Sequence, residues 1–341
     1  MRFLFIKLRH IGDSLLLTPT IVATKRKFPE AEIWVLVRRS CEGILAGCPE
    51  IDRLICTAEP EEDRRDARSR WGDFALACLL RRTDFDFVFE LGDNDRGRWL
   101  ALLARTKKRC ANRHRSLHAM WRPFFHHITT KKRWPMHQVG RDYLCPADVL
   151  DLPETPPALR FDESRVEEWK PATALGNDEY AVIHFYTRWP SKSWPLDRWK
   201  ELAARLLTVV PLLIVSCGPG REEVQAADEL CAAVGDRAIS TRGETNWAQL
   251  AGILQRAKFF VGVDTAAMHL AAAMQCPVVC LFGPSADFEF HPWSVPYWMI
   301  RAEDGADAET LAATAKEDLM GLISVEQVFE ACTMANKKGG R

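Results

Sequence analysis

Short apolar runs alternate with longer amphipathic stretches along this chain. Phe3–Ile6 lies inside Arg2–Leu8 and predicts a buried strand; the turn Gly12-Asp13-Ser14 follows, and Leu15–Lys27 has a helical pattern. Strand-like runs recur at Glu32–Val37, Asp52–Cys56 and Phe85–Glu90, separated by helical patterns around Cys41–Ala46 and over Trp71–Arg81; a further helix is expected over Asp95–Ala104. This alternation predicts an α/β domain with a parallel, doubly wound sheet. The rhythm breaks in a basic block, Arg105–Arg141, before a helical pattern over Met136–Leu150. A Pro-rich, acidic run follows at Asp151–Pro157, and polar sequence continues to Glu179, so a connection between domains is expected between about Pro153 and Asp178.

The pattern then restarts. Tyr180–Phe185 and Val209–Ser216 read as strands, and Leu196–Thr208, Glu222–Val234 and Trp247–Gln255 as helices. The segment Phe259–Ser285, FFVGVDTAAMHLAAAMQCPVVCLFGPS, is a complete strand–turn–helix–strand–loop unit, and Leu322–Ala335 predicts a terminal helix. At 341 residues the chain exceeds one usual core. Two similar domains are expected, residues 1–165 and 166–341, with the terminal helix a candidate to pack back on the first.

Composition is that of a globular protein, 47% hydrophobic and 27% charged, with no net charge. The charge is unevenly placed: Arg105–Arg141 holds eleven Lys or Arg and five His but no Asp or Glu. Such a block suits an acidic partner, such as a phosphorylated sugar or an anionic headgroup, or is a solvated basic loop. No zinc-finger, RRM or KH pattern is present, which disfavours nucleic acid. The eleven cysteines are scattered without a C-x-x-C pair, as in a reduced cytosolic protein with buried thiols rather than a metal site. A secretory signal is missing, and no uncharged run approaches the ~20 residues of a membrane span. A cytoplasmic location is expected, with peripheral contact at the inner face of the membrane left open.

Four strand ends carry candidate chemistry. In Phe259–Ser285 a helix opens directly after Asp264-Thr265; its free N–H groups and dipole suit an anion, and a ligand with phosphate is expected there. Asp264 and Thr265 could equally be plain caps, and His269 a packed core histidine. The loop Tyr186–Pro195 brings Thr187, Arg188 and Lys192 to a neighbouring strand end, where two cations and a hydroxyl could neutralise a diphosphate; alternatively Trp189, Trp194 and Trp199 pack the loop with its charges outward. Glu222 and Glu223 follow Ser216–Arg221 and could accept ribose hydroxyls or simply favour a helix start. In the first half, Asp13 is a candidate general base or a helix cap, and its turn lacks the G-x-G-x-x-G of nicotinamide-binding domains.

Taken together these residues resemble glycosyltransferase family 9, the lipopolysaccharide core heptosyltransferases. Phe5–Pro19 is similar to the family's first strand–turn–helix, and Phe28–Ile33 and Cys48–Asp52 continue it; Thr187–Pro195 and Val263–Ser285 are similar to its two donor-side motifs. The resemblance runs from Met1 to about Trp293 and is closest to the heptosyltransferase III branch. Ala266 stands where many members have Gly, which bears on how closely a diphosphate approaches the backbone.

The resemblance implies a GT-B fold, two Rossmann-like domains facing across a cleft. It implies an inverting, metal-independent transferase that moves heptose from ADP-L-glycero-D-manno-heptose to the inner core of lipid A-linked oligosaccharide, with no cofactor. Asp13 would be the base. Thr187, Arg188, Lys192, Glu222, Asp264, Thr265, Ala266, Met268 and His269 would serve the donor, and Arg9, His10, Arg113, Arg115 and Arg122 the acidic acceptor. Rival readings are another nucleotide sugar or acceptor, a non-catalytic nucleotide-sugar-binding relative, and a GT-B epimerase.

Overall fold

The computed structural model describes residues 1–57, 67–113, 118–129, 136–174 and 179–338. The chain divides into two compact units, Met1–Asp162 and Glu163–Arg341. In the first, six strands form one sheet: β1 (Arg2–Lys7), β2 (Glu32–Arg38), β3 (Arg53–Thr57), β4 (Asp84–Glu90), β5 (Arg105–Ala111) and β6 (His127–Ile128). Their order is β3-β2-β1-β4-β5-β6, and every pairing is parallel. The central strands are apolar because helices cover both faces of a doubly wound sheet; Phe3, Leu4, Phe5 and Ile6 are fully buried.

The expected helix over Leu15–Lys27 is two helices, α1 (Ile11–Leu15) and α2 (Thr18–Lys27). Pro19 explains the break: it sits in the first turn of α2, where a missing N–H does no harm, and it could not continue a helix from Leu15. Asp13 therefore lies inside the first turn of α1 rather than in a loop before it. Further along come α3 (Ala67–Arg82), α4 (Asp95–Leu103) and α5 (Gln138–Leu150).

The basic block does not simply interrupt the alternation, because it opens as β5. The four cations of β5 are held by neighbours. Lys107 pairs with Asp86 at 2.6 Å and Arg105 with Asp84 at 2.8 Å, while Lys108 lies over the Phe87 ring. Arg109 reaches the carbonyls of Ala101, Leu102 and Ala104 at the C-terminus of α4, where a cation meets the negative end of the dipole.

The second unit repeats the winding. Its strands are β7 (Tyr180–His184), β8 (Leu212–Val215), β9 (Ala238–Ser240), β10 (Phe260–Val263), β11 (Val278–Phe282) and β12 (Tyr297–Arg301), again all parallel, in the order β12-β11-β10-β7-β8-β9. Each unit thus has the 3-2-1-4-5-6 order of a Rossmann fold. The helices here are α6 (Leu196–Leu206), α7 (Arg221–Val234), α8 (Trp247–Arg256), α9 (Ala266–Ala273) and α10 (Val325–Lys338). The sequence left the terminal helix a candidate to reach back to the first domain. Its apolar face, Val328, Ala331, Cys332 and Ala335, is buried in the core of the second unit, and Asn336 donates to the Val209 carbonyl at 3.1 Å.

All eleven cysteines are free, and most are buried; burial raises the thiols of Cys48, Cys145 and Cys280 well above their ordinary range, so they are inert packing residues. Among the described residues no helix is long and apolar enough to cross a membrane, and no three His, Cys, Asp or Glu gather as metal ligands.

Candidate active site

In a doubly wound sheet the strand order reverses at one point, and the loops leaving the two strands there diverge, opening a crevice at their C-terminal ends. In the first unit this point lies between β1 and β4. In the second it lies between β7 and β10. Arg9, His10 and Asp13 follow β1, and Thr187, Arg188, Lys192 and the Asp264–His269 segment follow β7 and β10; Glu222, Arg113 and Arg122 lie at other strand ends.

In the second unit, the loop after β7 carries Lys192 in a short 3₁₀ turn, Pro190–Lys192. Two tryptophans hold that loop. Trp194 is buried, donates to the Ile323 carbonyl at 3.0 Å and packs edge-to-face on Trp199 at 4.9 Å. Trp189 and Arg188 point to solvent, and the Thr187 hydroxyl accepts the Trp189 N–H at 3.3 Å. Lys192 is not directed outward: its Nζ lies 2.5 Å from Oδ2 of Asp264, which leaves β10 on the neighbouring strand. The two loops of the reversal point are thereby joined by an ion pair in which Asp264 is largely buried and Lys192 a quarter exposed.

Asp264 therefore serves Lys192, and the helix start beside it has no side-chain cap. Thr265 is the N-cap residue of α9 but makes no side-chain capping bond, and its buried Oγ1 has no hydrogen-bond partner among the described residues. The N–H groups of Ala266, Ala267 and Met268 have no partner within the helix, since the first intrahelical bond is His269 N–H to the Thr265 carbonyl. Met268 is fully buried, and His269 is buried as well. Gly262 in β10 is required by packing: a Cβ there would lie 2.6 Å from the His184 carbonyl oxygen.

The next strand end, after β8, carries Glu222 and Glu223. They diverge in role. Glu223 folds back to accept the Gly218 N–H at 2.7 Å, whereas Glu222 stays exposed and accepts from the Tyr186 hydroxyl at 3.4 Å. Gly243 (φ +70°) lets a second loop close on this turn, since a Cβ would meet the Gly218 carbonyl at 2.5 Å. Tyr186 also lines a cavity of about 510 Å³ with Phe185, Trp194, Leu196 and Ala226.

His184, at the end of β7, lies 2.8 Å from the Ser216 hydroxyl through Nδ1, and burial lowers its pKa from 6.5 to about 4. The unfolded chain takes up this proton first as pH falls. Stability is therefore intact above pH 6.5 and lost between about pH 6.5 and 4. We expect this histidine to remove roughly 2 kcal/mol from the second unit by pH 4, the value being reduced for the residue's partial solvent access. His184→Gln should flatten that part of a stability-versus-pH curve measured by urea unfolding; an unchanged slope would acquit the histidine.

In the first unit, Asp13 is 9% exposed. Its Oδ2 accepts the His10 N–H at 3.3 Å, which is a reciprocal cap for α1. Its Oδ1 is buried with no hydrogen-bond partner among the described residues. A carboxylate used only as a cap has no need to withdraw the second oxygen from water, and a buried acceptor without a donor costs about 1–3 kcal/mol. Arg9 and His10 lie in the same loop. Arg113 lies just past the end of β5, and Arg122 is exposed in the turn Arg122–Phe124 that leads into β6. Arg115 falls outside the described residues.

Behind this loop lies a polar cluster that the sequence reading did not contain. Lys7 ends β1 fully buried, with Nζ 2.6 and 2.7 Å from the two oxygens of Asp142 on α5, 135 residues away; Gln138 donates to the same carboxylate at 2.8 Å. Burial pushes the Asp142 carboxyl up and Lys7 pulls it back. Glu90 ends β4, also fully buried, 3.3 Å from Arg98. Removing one partner of a buried pair strands the other charge, so Lys7→Met should destabilise the protein by about 3–5 kcal/mol. Lys7→Met with Asp142→Leu should recover most of that loss in a urea melt. If the double variant is as unstable as the single, the pair is not what Lys7 supports.

A family model described as glycosyltransferase family 9 (heptosyltransferase) matches residues 74–319. Lipopolysaccharide heptosyltransferase 3 of Escherichia coli K12 is 28% identical over 306 residues, which span 85% of this chain and 86% of that protein. Two solved structures share the fold. The glycosyl transferase family 9 protein of Veillonella parvula superposes with a TM-score of 0.82 at 20% identity, over 99% of this chain and 97% of that one. The E. coli heptosyltransferase WaaC with ADP superposes with a TM-score of 0.81 at 19% identity, over 98% of this chain and all of that one.

Proposed function

From the premise that the chain belongs to glycosyltransferase family 9, the heptosyltransferases, and is a glycosyltransferase, we propose that it moves heptose from ADP-L-glycero-D-manno-heptose to a hydroxyl of the lipopolysaccharide inner core. The step is a single displacement. Asp13 Oδ1 takes the proton of the acceptor hydroxyl, the acceptor oxygen bonds to the anomeric carbon on the face opposite ADP, and the bond to the diphosphate breaks. The anomeric configuration inverts.

The leaving diphosphate gains charge, and two fixed groups answer it without a metal: the Lys192 ammonium and the uncapped N–H groups at the start of α9. Thr187, Thr265 and Arg188 add polar contacts at the same strand ends, and Asp264 orients Lys192. In this reading Glu222 holds the ribose hydroxyls, Ala266 and Met268 contribute backbone N–H groups, and His269 braces the phosphate loop. Arg9, His10, Arg113, Arg115 and Arg122 receive the phosphates and acidic sugars of the acceptor. The enzyme works on the cytoplasmic side, peripheral to the membrane that holds its acceptor.

The observation that carries this reading is the buried Oδ1 of Asp13, which has no hydrogen-bond partner among the described residues. It is supported by an adenine nucleotide in the structurally similar E. coli enzyme. Calorimetric titration with ADP-heptose, ADP, UDP and GDP tests the donor half. Selective binding of ADP and ADP-heptose is expected. Equal affinity for UDP would point to another nucleotide sugar, and no nucleotide binding would favour a non-catalytic relative.

A further inference from the structure

In the second unit, Lys192 and Asp264 join the two loops that part at the reversal point of the sheet. The first unit carries a tie at the corresponding place, made of different groups. One loop there follows β1, where Leu8 leads to Arg9, His10 and Asp13; the other, residues 91–94, follows β4 and leads to α4. The Asn94 side chain spans them: its Nδ2 donates to the Leu8 carbonyl at 3.1 Å. Its Oδ1 meanwhile accepts the Gly97 N–H at 2.8 Å as the N-cap of α4. One side chain thus starts one helix and grips the loop that leads to another.

The residues around Asn94 set this loop against Leu8. Glu90 ends β4 fully buried, and its Oε1 accepts the Gly92 N–H at 2.8 Å, which turns the chain back over the strand end. Its second oxygen lies 3.3 Å from Nε of Arg98. Two glycines leave the room: a Cβ at Gly97 would lie 2.8 Å from Glu90 Oε1, and one at Gly92 would lie 2.7 Å from Asn94 Nδ2 and 3.1 Å from the Leu8 nitrogen. Lys7, the residue before Leu8, also reaches the Leu91 carbonyl at 3.3 Å. Asp93, between Gly92 and Asn94, takes a left-handed φ of +55°, uncommon outside glycine. Capping α4 requires only the oxygen of Asn94; a buried carboxylate and two closely packed glycines go beyond that need.

The segment after Leu8 is bonded as well. Cys41 donates its thiol to the Arg9 carbonyl at 3.6 Å, and Asp13 accepts the His10 N–H. Asp13 follows Leu8 by five residues, so a shift at Leu8 passes to it through a short, bonded stretch. We infer that Asn94 is a positioning residue: by tying Leu8 to the loop after β4, it fixes where the Asp13 carboxylate stands in the crevice of the first unit. The consequence for transfer rests on the reading that Asp13 is the base; the tie itself does not.

Asn94→Ser tests this, since a serine oxygen still caps α4 but the side chain is too short to reach the Leu8 carbonyl. Asn94→Ala removes cap and tie together. Amide hydrogen exchange over residues 8–16 reads the loop without any substrate, beside kcat, ADP affinity and a thermal melt. Both variants should exchange faster there. The serine variant should melt near wild type, bind ADP as wild type does, and lose about 10- to 100-fold in kcat, as expected when a reacting group is misplaced by about 1 Å. Should it melt early, Asn94→Asp, which keeps the cap and lacks the N–H donors, gives the same readout. Wild-type exchange over residues 8–16 overturns the tie. A kcat loss in the alanine variant alone also overturns the proposal, since the effect then belongs to the cap. Faster exchange with kcat unchanged, while Asp13→Asn loses its turnover, overturns the positioning role. If Asp13→Asn keeps its turnover, the base is what fails, and with it the consequence for transfer, whereas the exchange result still decides the tie.

Discussion

Asp13→Asn is expected to lower kcat by about 10²–10⁴-fold while ADP affinity stays at the wild-type value. The substitution keeps the size of the side chain and an oxygen to accept the His10 N–H that caps α1. What it removes is the basicity of Oδ1, the oxygen that is buried with no hydrogen-bond partner among the described residues. Asp13→Ala removes the cap as well and should cost a further increment of stability, about 1 kcal/mol for a lost helix cap. The separation matters because Asp13 belongs to the first unit and the donor groups to the second. A loss confined to kcat, at saturating donor and acceptor, is what a base predicts. Turnover within a few-fold of wild type in the Asn variant would remove Asp13 from that role and leave it a cap.

The second large effect is at Lys192. Lys192→Ala should reduce kcat/KM by about 10²–10³-fold, the range seen when one preorganised group that meets developing charge is removed. Two causes contribute. The diphosphate loses a cation, and Asp264, held 2.5 Å from that cation in the intact protein, is left as an unpaired carboxylate one residue before the N-cap of α9. Its charge would then repel the diphosphate from the helix start. The two causes are separable by a double-mutant cycle. Lys192→Ala with Asp264→Asn should bind ADP more tightly than Lys192→Ala alone. If the second substitution brings no recovery, Asp264 does not oppose the anion, and the whole effect is the missing ammonium.

The fold was legible where strands are buried on both faces. β1, β2, β4, β7, β10 and β11 are central or next to central in their sheets, and their apolar runs are nearly continuous. β5, β6, β9 and β12 escaped the reading. β5 reads Arg-Thr-Lys-Lys-Arg-Cys-Ala, and its charges are compatible with a strand only because Asp84, Asp86 and the Phe87 ring of β4 lie alongside them. β9 has three residues and closes its sheet. β12 ends the other side of the same sheet, where solvent relaxes the pattern.

The site divides in the same way. As candidates, Asp13, Thr187, Lys192, Asp264 and Thr265 stood out because each lies between an apolar strand run and the helix that follows it. The pairing of Lys192 with Asp264 was not, since it joins positions 72 residues apart and depends on β7 lying next to β10. Lys7 had only one local sign, a lysine closing a run of four apolar residues. Its partner Asp142 is an ordinary helix aspartate until the sheet places α5 behind β1. Ion pairs between distant elements are properties of topology, and no local pattern announces them.

Transfer of heptose is read most directly from the mass of the acceptor after reaction. Purified enzyme, ADP-heptose and an inner-core lipopolysaccharide truncated before its last heptose would be incubated and the glycolipid analysed by mass spectrometry, with released ADP counted in parallel. A gain of one heptose per acceptor is expected, matched by one ADP, and retained when metal ions are chelated. ADP release with no gain in acceptor mass, or acceptor that gains a different sugar from another nucleotide donor, would contradict it.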